Sequence, residues 1–166
     1  MYYEEVFRKL NEYHIKYLVA GGLAVNLHGV PRLTQDLDLL IDLGEENILK
    51  IVRALTELGY RPRIPEDPSK FANPEIRDRW KEEKNMKVFS FFHSSLPFQE
   101  IDLMFDVPVS YDEAAKGKVL KHAGDLDIPI VSMPDLIRLK KVVGRKHDVS
   151  DIRMLKEIMK LEKENE

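Results

Sequence analysis

Three aspartates carry the chemistry that this sequence could perform. Asp36 and Asp38 fall in "RLTQDLDLLID" (32–42), where alternation puts Leu37, Leu39 and Ile41 on one face of a strand and both carboxylates on the other. On such a strand their Cα atoms stand about 7 Å apart. The later stretch "PFQEIDLMF" (97–105) repeats the pattern, with Ile101, Leu103 and Phe105 facing one way and Glu100, Asp102 and Met104 the other. If the three Asp share a face on neighbouring strands, two unit charges at ~6 Å and an effective dielectric near 20 repel by about 3 kcal/mol. A hard divalent cation removes that penalty, and Mg²⁺ is usually held by a few carboxylates plus substrate phosphates. Two such ions can clamp the attacking and leaving oxygens of a phosphoryl-type displacement. An Asp-x-Asp pair is also a common solvated strand face, so the pair alone leaves both readings open.

The stretch "VAGGLAVNLHG" (19–29) adds a second feature. Gly21 and Gly22 fall between a strand and a helix, where a phosphate can approach the free N–H groups and the positive end of the helix dipole. Tight turns use Gly-Gly for other reasons as well. Taken with the aspartates, the sequence has the parts for binding a nucleoside triphosphate with metal.

Composition narrows the alternatives. A chain of 166 residues with 43% apolar and 33% charged residues is globular and sized for one domain. No apolar run approaches the ~20 residues of a membrane helix, and "MYYEEVFRKL" lacks a signal peptide's basic start and apolar block. The expectation is a soluble, cytoplasmic protein without membrane contact. There is no Cys, and the five His make no metal-ligand pair, so any metal is held by oxygen. A net charge of −3 argues against a whole-surface nucleic-acid binder but leaves room for a local basic patch.

The elements that must position these residues follow from periodicity. "YYEEVFRKLNEY" is predicted as a helix, "IKYLVA" as a strand, "LAVNLHG" as a short helix closed by Gly29, and "EENILKIVRALTELG" as an amphipathic helix closed by Gly59. The four prolines of "RPRIPEDPSKFANPE" predict a surface loop, after which Asn73 caps a charged helix with Pro74 at its first position. "MKVFSFF" and "PFQEIDLMF" predict an antiparallel hairpin across "HSSL". "LDIPIVSM" is a further strand whose Pro129 belongs on an edge or at a strand end, and "PDLIRLKKVVG" and "VSDIRMLKEIMKLEKE" are closing helices. The expected architecture is α+β: a mixed sheet covered by helices, in a single domain over 1–166. It has an inserted loop and helix at about 61–85 and C-terminal helices at about 134–164.

The order of these features resembles the DNA polymerase beta-like nucleotidyltransferase superfamily, in which Gly-Gly or Gly-Ser opens a helix, Asp-x-Asp follows on a strand and a third Asp lies on a later strand. The pattern "GG-x-A…R-x-T/S-x-D-x-D" of its AbiEii-type and small-molecule nucleotidyltransferase branch is matched by Gly21, Gly22, Ala24, Arg32, Thr34, Asp36 and Asp38. "LKKVVGRKHDVSDIRML" resembles that branch's "K…R-x-K-D-x-x-D" tail, with His147 before Asp148. The resemblance runs from Tyr17 to Leu155. It implies that Asp36 and Asp38 ligate two Mg²⁺ or Mn²⁺ ions, and that Asp102 binds the catalytic ion and helps deprotonate an acceptor hydroxyl. Gly21 and Gly22 would hold the triphosphate through backbone N–H groups, although Gly22 lacks the Ser hydroxyl of many members. The implied activity is transfer of a nucleoside monophosphate from an NTP to a small molecule, a tRNA 3′ end or a protein side chain, with release of pyrophosphate. The alternative is a non-catalytic nucleotide- or partner-binding member of a toxin–antitoxin pair, with an antitoxin or a second copy of the chain as partner.

Several side chains have two readings each. Arg32 suits phosphate by its fork geometry, or else makes an ion pair with Asp42 or another acid. Thr34 either joins it at the nucleotide or stabilises the loop. Lys140, with Arg145 and Lys146, would reach the nucleotide or a nucleic-acid acceptor, or is simply solvated. Glu100 either assists Asp102 or is a solvated strand residue. Asp148 and Asp151 have the spacing of caps for the last helix. Trp80 either stacks on a base or anchors its helix to the core.

Overall fold

In the computed structural model, which describes residues 2–166, the chain begins with α1 (Glu4–Glu12), whose Val6, Phe7 and Leu10 are buried. β1 (Tyr17–Ala20), buried at every residue, runs straight into α2 (Gly21–Leu27). There follow β2 (Leu37–Ile41), α3 (Glu45–Glu57), β3 (Tyr60–Pro62), α4 (Pro74–Lys84), β4 (Val88–His93), β5 (Glu100–Met104), α5 (Tyr111–Ala115), β6 (Val119–Ala123), β7 (Leu126–Ile130), α6 (Met133–Val143) and α7 (Lys146–Glu164). The seven strands form one sheet in the order β3-β4-β5-β2-β1-β7-β6. It is mixed: β2–β5 and β1–β7 are parallel, and the other neighbours antiparallel. The α+β architecture is as expected, and among the described residues no helix is long and apolar enough to cross a membrane.

Period-two alternation settles which face of the sheet is core. Leu37 and Leu39 of β2, Phe89 and Phe91 of β4, and Ile101 and Leu103 of β5 are almost completely buried, while the residues between them on β4 and β5 are half-exposed. Each such side chain contributes about 1.5–3 kcal/mol by leaving water, enough to fix the register, since a one-residue slip would turn the apolar set outward. The same register fixes the outward acids.

The helix signals hold. The Asn73 side chain accepts the Glu75 N–H with Pro74 at the first helical position, and the chain turns at positive φ at Gly29, Gly59 and Gly144. Other boundaries depart from the sequence reading. Asp36 lies one residue before β2, not on it. The proline-rich stretch is not only loop: it holds β3 and a 3-10 turn (Pro68–Ala72), whose buried Phe71 stacks on Phe89 at 4.7 Å. Neither β6 nor α5 was anticipated. Pro129 is the next-to-last residue of β7, the strand-end position expected of it. Trp80 anchors its helix: it is 5% exposed, with its ring parallel to that of Phe89 at 5.5 Å.

Candidate active site

Parallel pairing of β2 with β5 makes Asp38 and Asp102 direct neighbours across the two strands. On the far side of β5, antiparallel β4 brings Ser90 into register with Asp102, and the Ser90 hydroxyl donates to Asp102 Oδ1 at 2.5 Å. On the far side of β2, Ala20 pairs with Asp38, and the next residue, Gly21, packs against that carboxylate. A Cβ on Gly21 would sit 1.9 Å from Asp38 Oδ2, and Gly21 has φ +60, in the left-handed region that disfavours side chains. A Cβ on Gly22 would sit 2.6 Å from Thr34 Oγ1 and 3.2 Å from Arg32 Cζ. The Gly-Gly turn therefore clears space for three of the expected site residues, a demand the sequence alone did not show.

The acids crowd one another. Burial first, then repulsion by Asp102 and Asp36, push the Asp38 carboxyl up to about 7, against the opposing pull of Lys140 and Arg145. Asp102 is raised as well, mainly by burial, with the Ser90 hydrogen bond opposing. The exposed Asp36 is raised by what burial it has and by Glu100, with Arg63 opposing. None of the three aspartates forms an ion pair with a described residue. Nor do any three His, Cys, Asp or Glu among the described residues form a ready-made metal-ligand group. What exists is a pair of neighbouring carboxylates with hard oxygen donors and uncompensated charge, which fits a divalent cation completed by a ligand's oxygens better than one caged by protein alone.

Residues that the sequence reading passed over complete the walls. Arg63 grips Glu100 with two hydrogen bonds of 3.1 and 2.7 Å and lies over the Phe92 ring, so Glu100 is neither free nor simply solvated. The proline-rich stretch around Arg63 hid it. The Tyr3 hydroxyl donates to the Gln35 carbonyl at 2.5 Å and accepts the Glu100 N–H at 3.2 Å, tying the segment before β2 to the start of β5. Burial, with the nearby acids, pushes its pKa up to about 12. Ser90 was legible in principle, because "VFSFF" puts it opposite the buried Phe89 and Phe91. An open cavity of about 840 Å³ beside Tyr3, Tyr60 and His93 contains none of the aspartates.

The C-terminal helices contribute a buried ionic network. Arg32 pairs with Asp151, not with Asp42. Lys140, 6% exposed, reaches Asp151 at 2.9 Å and Asp148 at 3.3 Å. Asp148 also accepts the Arg145 backbone N–H at 3.3 Å and its Nε at 3.0 Å, so it caps α7 as expected. Asp151 does not cap; it joins α7 to Arg32 and Lys140. Burial alone would raise the Asp148 carboxyl, but Arg145 and Lys140 outweigh it and hold it below its ordinary value. The network lies beside the acids, since both Lys140 and Arg145 act on Asp38.

No family profile and no curated protein matches the sequence. Solved structures match the fold. A lincomycin-bound lincosamide antibiotic adenylyltransferase, LnuA, aligns over 93% of this chain and 96% of its own at 18% identity and a TM-score of 0.59. ANT(2″)-Ia in complex with adenylyl-2″-tobramycin aligns over 96% and 88% at 15% identity and a TM-score of 0.59. A nucleotidyltransferase-like antigenic protein of Paracoccidioides brasiliensis aligns over 94% and 72% at 16% identity and a TM-score of 0.52. At such identities the likeness is one of fold.

Proposed function

We propose that this chain, built on a nucleotidyltransferase fold, transfers a nucleoside monophosphate from an NTP to a hydroxyl acceptor with release of pyrophosphate. The observation that carries the reading is the register of Asp38 beside Asp102, with Gly21 cleared to admit the Asp38 carboxylate. Asp38 and Asp102, with Asp36 from the adjoining segment, would hold Mg²⁺ or Mn²⁺. Such an ion, when bound, offsets the charge of the phosphates and of the attacking oxygen. Ser90 occupies Asp102 Oδ1, which leaves Oδ2 to take the proton of the acceptor hydroxyl. Gly21 and Gly22 expose backbone close to Asp38, where the triphosphate would lie. Thr34 and Arg32, packed against Gly22, form the neighbouring wall, and Arg32 would reach a phosphate only by exchanging Asp151 for it. Lys140, held by Asp151 and Asp148, biases Asp38 toward the ionised form that binds metal. The solved neighbours, whose bound molecules are lincomycin and an adenylylated tobramycin, support a hydroxyl-bearing acceptor in general.

One observation favours a second reading, a chain that binds nucleotide or a partner such as an antitoxin without turnover: Asp36 stands exposed outside the strand and completes no three-acid group. The deciding experiment is melting against each NTP, with and without Mg²⁺ or Mn²⁺, followed by transfer from labelled nucleotide. A ligand at 100 times its Kd stabilises by about 2.7 kcal/mol, which raises Tm by roughly 5–10 °C for a chain of this size. The metal-dependent shift should vanish in Asp38→Asn, and transfer should fall by orders of magnitude in Asp102→Asn. Undiminished transfer in Asp102→Asn would remove that residue from the chemistry.

A further inference from the structure

Charge is unevenly placed along this chain. From Arg138 to Lys163 there are nine Lys and Arg against four Asp and Glu, whereas the whole chain has 26 against 29. Two of those four acids, Asp148 and Asp151, are buried against Lys140. On α7, Lys146, Arg153, Lys156, Lys160 and Lys163 are all exposed, and their spacing holds them within about 100° of the helix circumference along about 26 Å. Glu157 and Glu164 share that face but do not neutralise it. Some exposed cations elsewhere are paired within their own helix, Arg8 with Glu4 and Arg53 with Glu57, and others, such as Arg79 and Lys84 on α4, stand alone without forming a row of this length. None of the five cations on α7 has a carboxylate partner among the described residues. Val149 and Ile152 lie between them and line a shallow groove of about 440 Å³.

The place of this stripe in the fold gives it meaning. The start of α7 lies close to the acidic pair, because its Asp151 pairs with Arg32, Arg32 packs against Gly22, and the adjoining Gly21 packs against Asp38. The helix then runs past the turn that follows α2, with Ile158 reaching 3.9 Å from where a Cβ on Gly29 would be. Exposed Lys141, Arg145, Lys146 and His147 gather at the end beside the acids.

Resting on the transfer reading above, we infer that the acceptor is a nucleic-acid strand whose phosphates follow the basic stripe of α7 and whose terminal hydroxyl is delivered to Asp102. A row of unpaired cations tracks a backbone. A small neutral acceptor would not need one.

The test uses the full chain, a fluorescein-labelled single-stranded RNA of mixed sequence, and vesicles containing phosphatidylserine. Five phosphate contacts at a slope of about −0.7 each make RNA affinity fall roughly a hundredfold between about 50 and 200 mM salt. Reversing three exposed charges together (Arg153→Glu, Lys156→Glu, Lys160→Glu) should weaken RNA binding by about tenfold or more, with helix content and the metal-dependent NTP melting shift unchanged. RNA binding indifferent to the reversal overturns the proposal, as does an NTP shift with no RNA binding; the transfer reading survives either result. Binding to the vesicles and not to RNA assigns the stripe to a membrane surface and overturns it too. RNA binding without any NTP shift would sink the transfer reading, and with it the acceptor role, leaving only a polyanion-binding face.

Discussion

Replacing Gly21 with Ala is the sharpest probe of how the acidic site is assembled. The new Cβ would lie 1.9 Å from Asp38 Oδ2 and 2.7 Å from its Cγ, at a residue whose φ is +60. The left-handed backbone costs an L-residue about 1–2 kcal/mol, and pushing the Asp38 side chain off its rotamer adds about 0.5–1.5 kcal/mol. The expected loss is about 2–3 kcal/mol, or roughly 5–10 °C in Tm. Urea unfolding of the wild type, Gly21→Ala, Asp38→Ala and the double variant separates the two parts. Asp38→Ala removes the two closest contacts and leaves the 2.9 Å approach to the Asp38 Cβ, so the cycle should show a favourable coupling of about 1 kcal/mol, with the backbone cost and that residual contact remaining in the double variant. Strictly additive losses, or a Gly21→Ala protein as stable as wild type, would refute the close packing of the carboxylate on the turn.

Three further outcomes are expected. The native Asp38 carboxyl, held near 7 against an ordinary value of 3.8, binds its proton more tightly in the folded chain; the stability this lends is complete below about 4 and is lost as pH rises through 7. Metal-free protein should therefore lose up to about 4 kcal/mol across that window, a loss that Asp38→Asn abolishes and millimolar Mg²⁺ offsets, as read by Tm against pH in chelator. Arg32→Ala leaves Asp151 with Lys140 alone and should cost about 1–2 kcal/mol in stability; if Arg32 also meets phosphate, NTP affinity falls as well, and unchanged affinity confines it to the ion pair. Ser90→Ala removes the hydrogen bond that holds the Asp102 pKa down, so the acidic limb of the transfer pH profile should move to higher pH; an unmoved limb would show that Asp102 does not set it.

The site was legible to the extent that it depends on short-range pattern. Alternation in "DLDLL" and "EIDLM" puts Asp38 and Asp102 on outward faces because Leu37, Leu39, Ile101 and Leu103 must all be buried. That the two strands are neighbours was an assumption until the β2–β5 register was seen. Pattern could not reveal contacts between segments far apart in sequence. Tyr3 reads as one more apolar position of α1, yet its hydroxyl joins two strands. Arg63 follows a proline that suggests loop, yet β3 pairing carries it to Glu100. Arg32 needed a partner, and only the packing of α7 could show that it is Asp151. The strands missed were short or weakly patterned: β3 has three residues, and the half-buried β6 shows little alternation in hydropathy.

The position of Trp80 has a spectroscopic consequence. It is the only tryptophan in the chain, and it stacks on Phe89, the neighbour of Ser90 on the opposite face of β4. The indole therefore sits behind the sheet, with Lys84 near its ring and the acids on the other side. Its emission reports whether α4 is docked, without an introduced label. A ligand bound at Asp38 and Asp102, as proposed, would not touch it, so the same cuvette could follow unfolding through tryptophan and nucleotide through a fluorescent analogue.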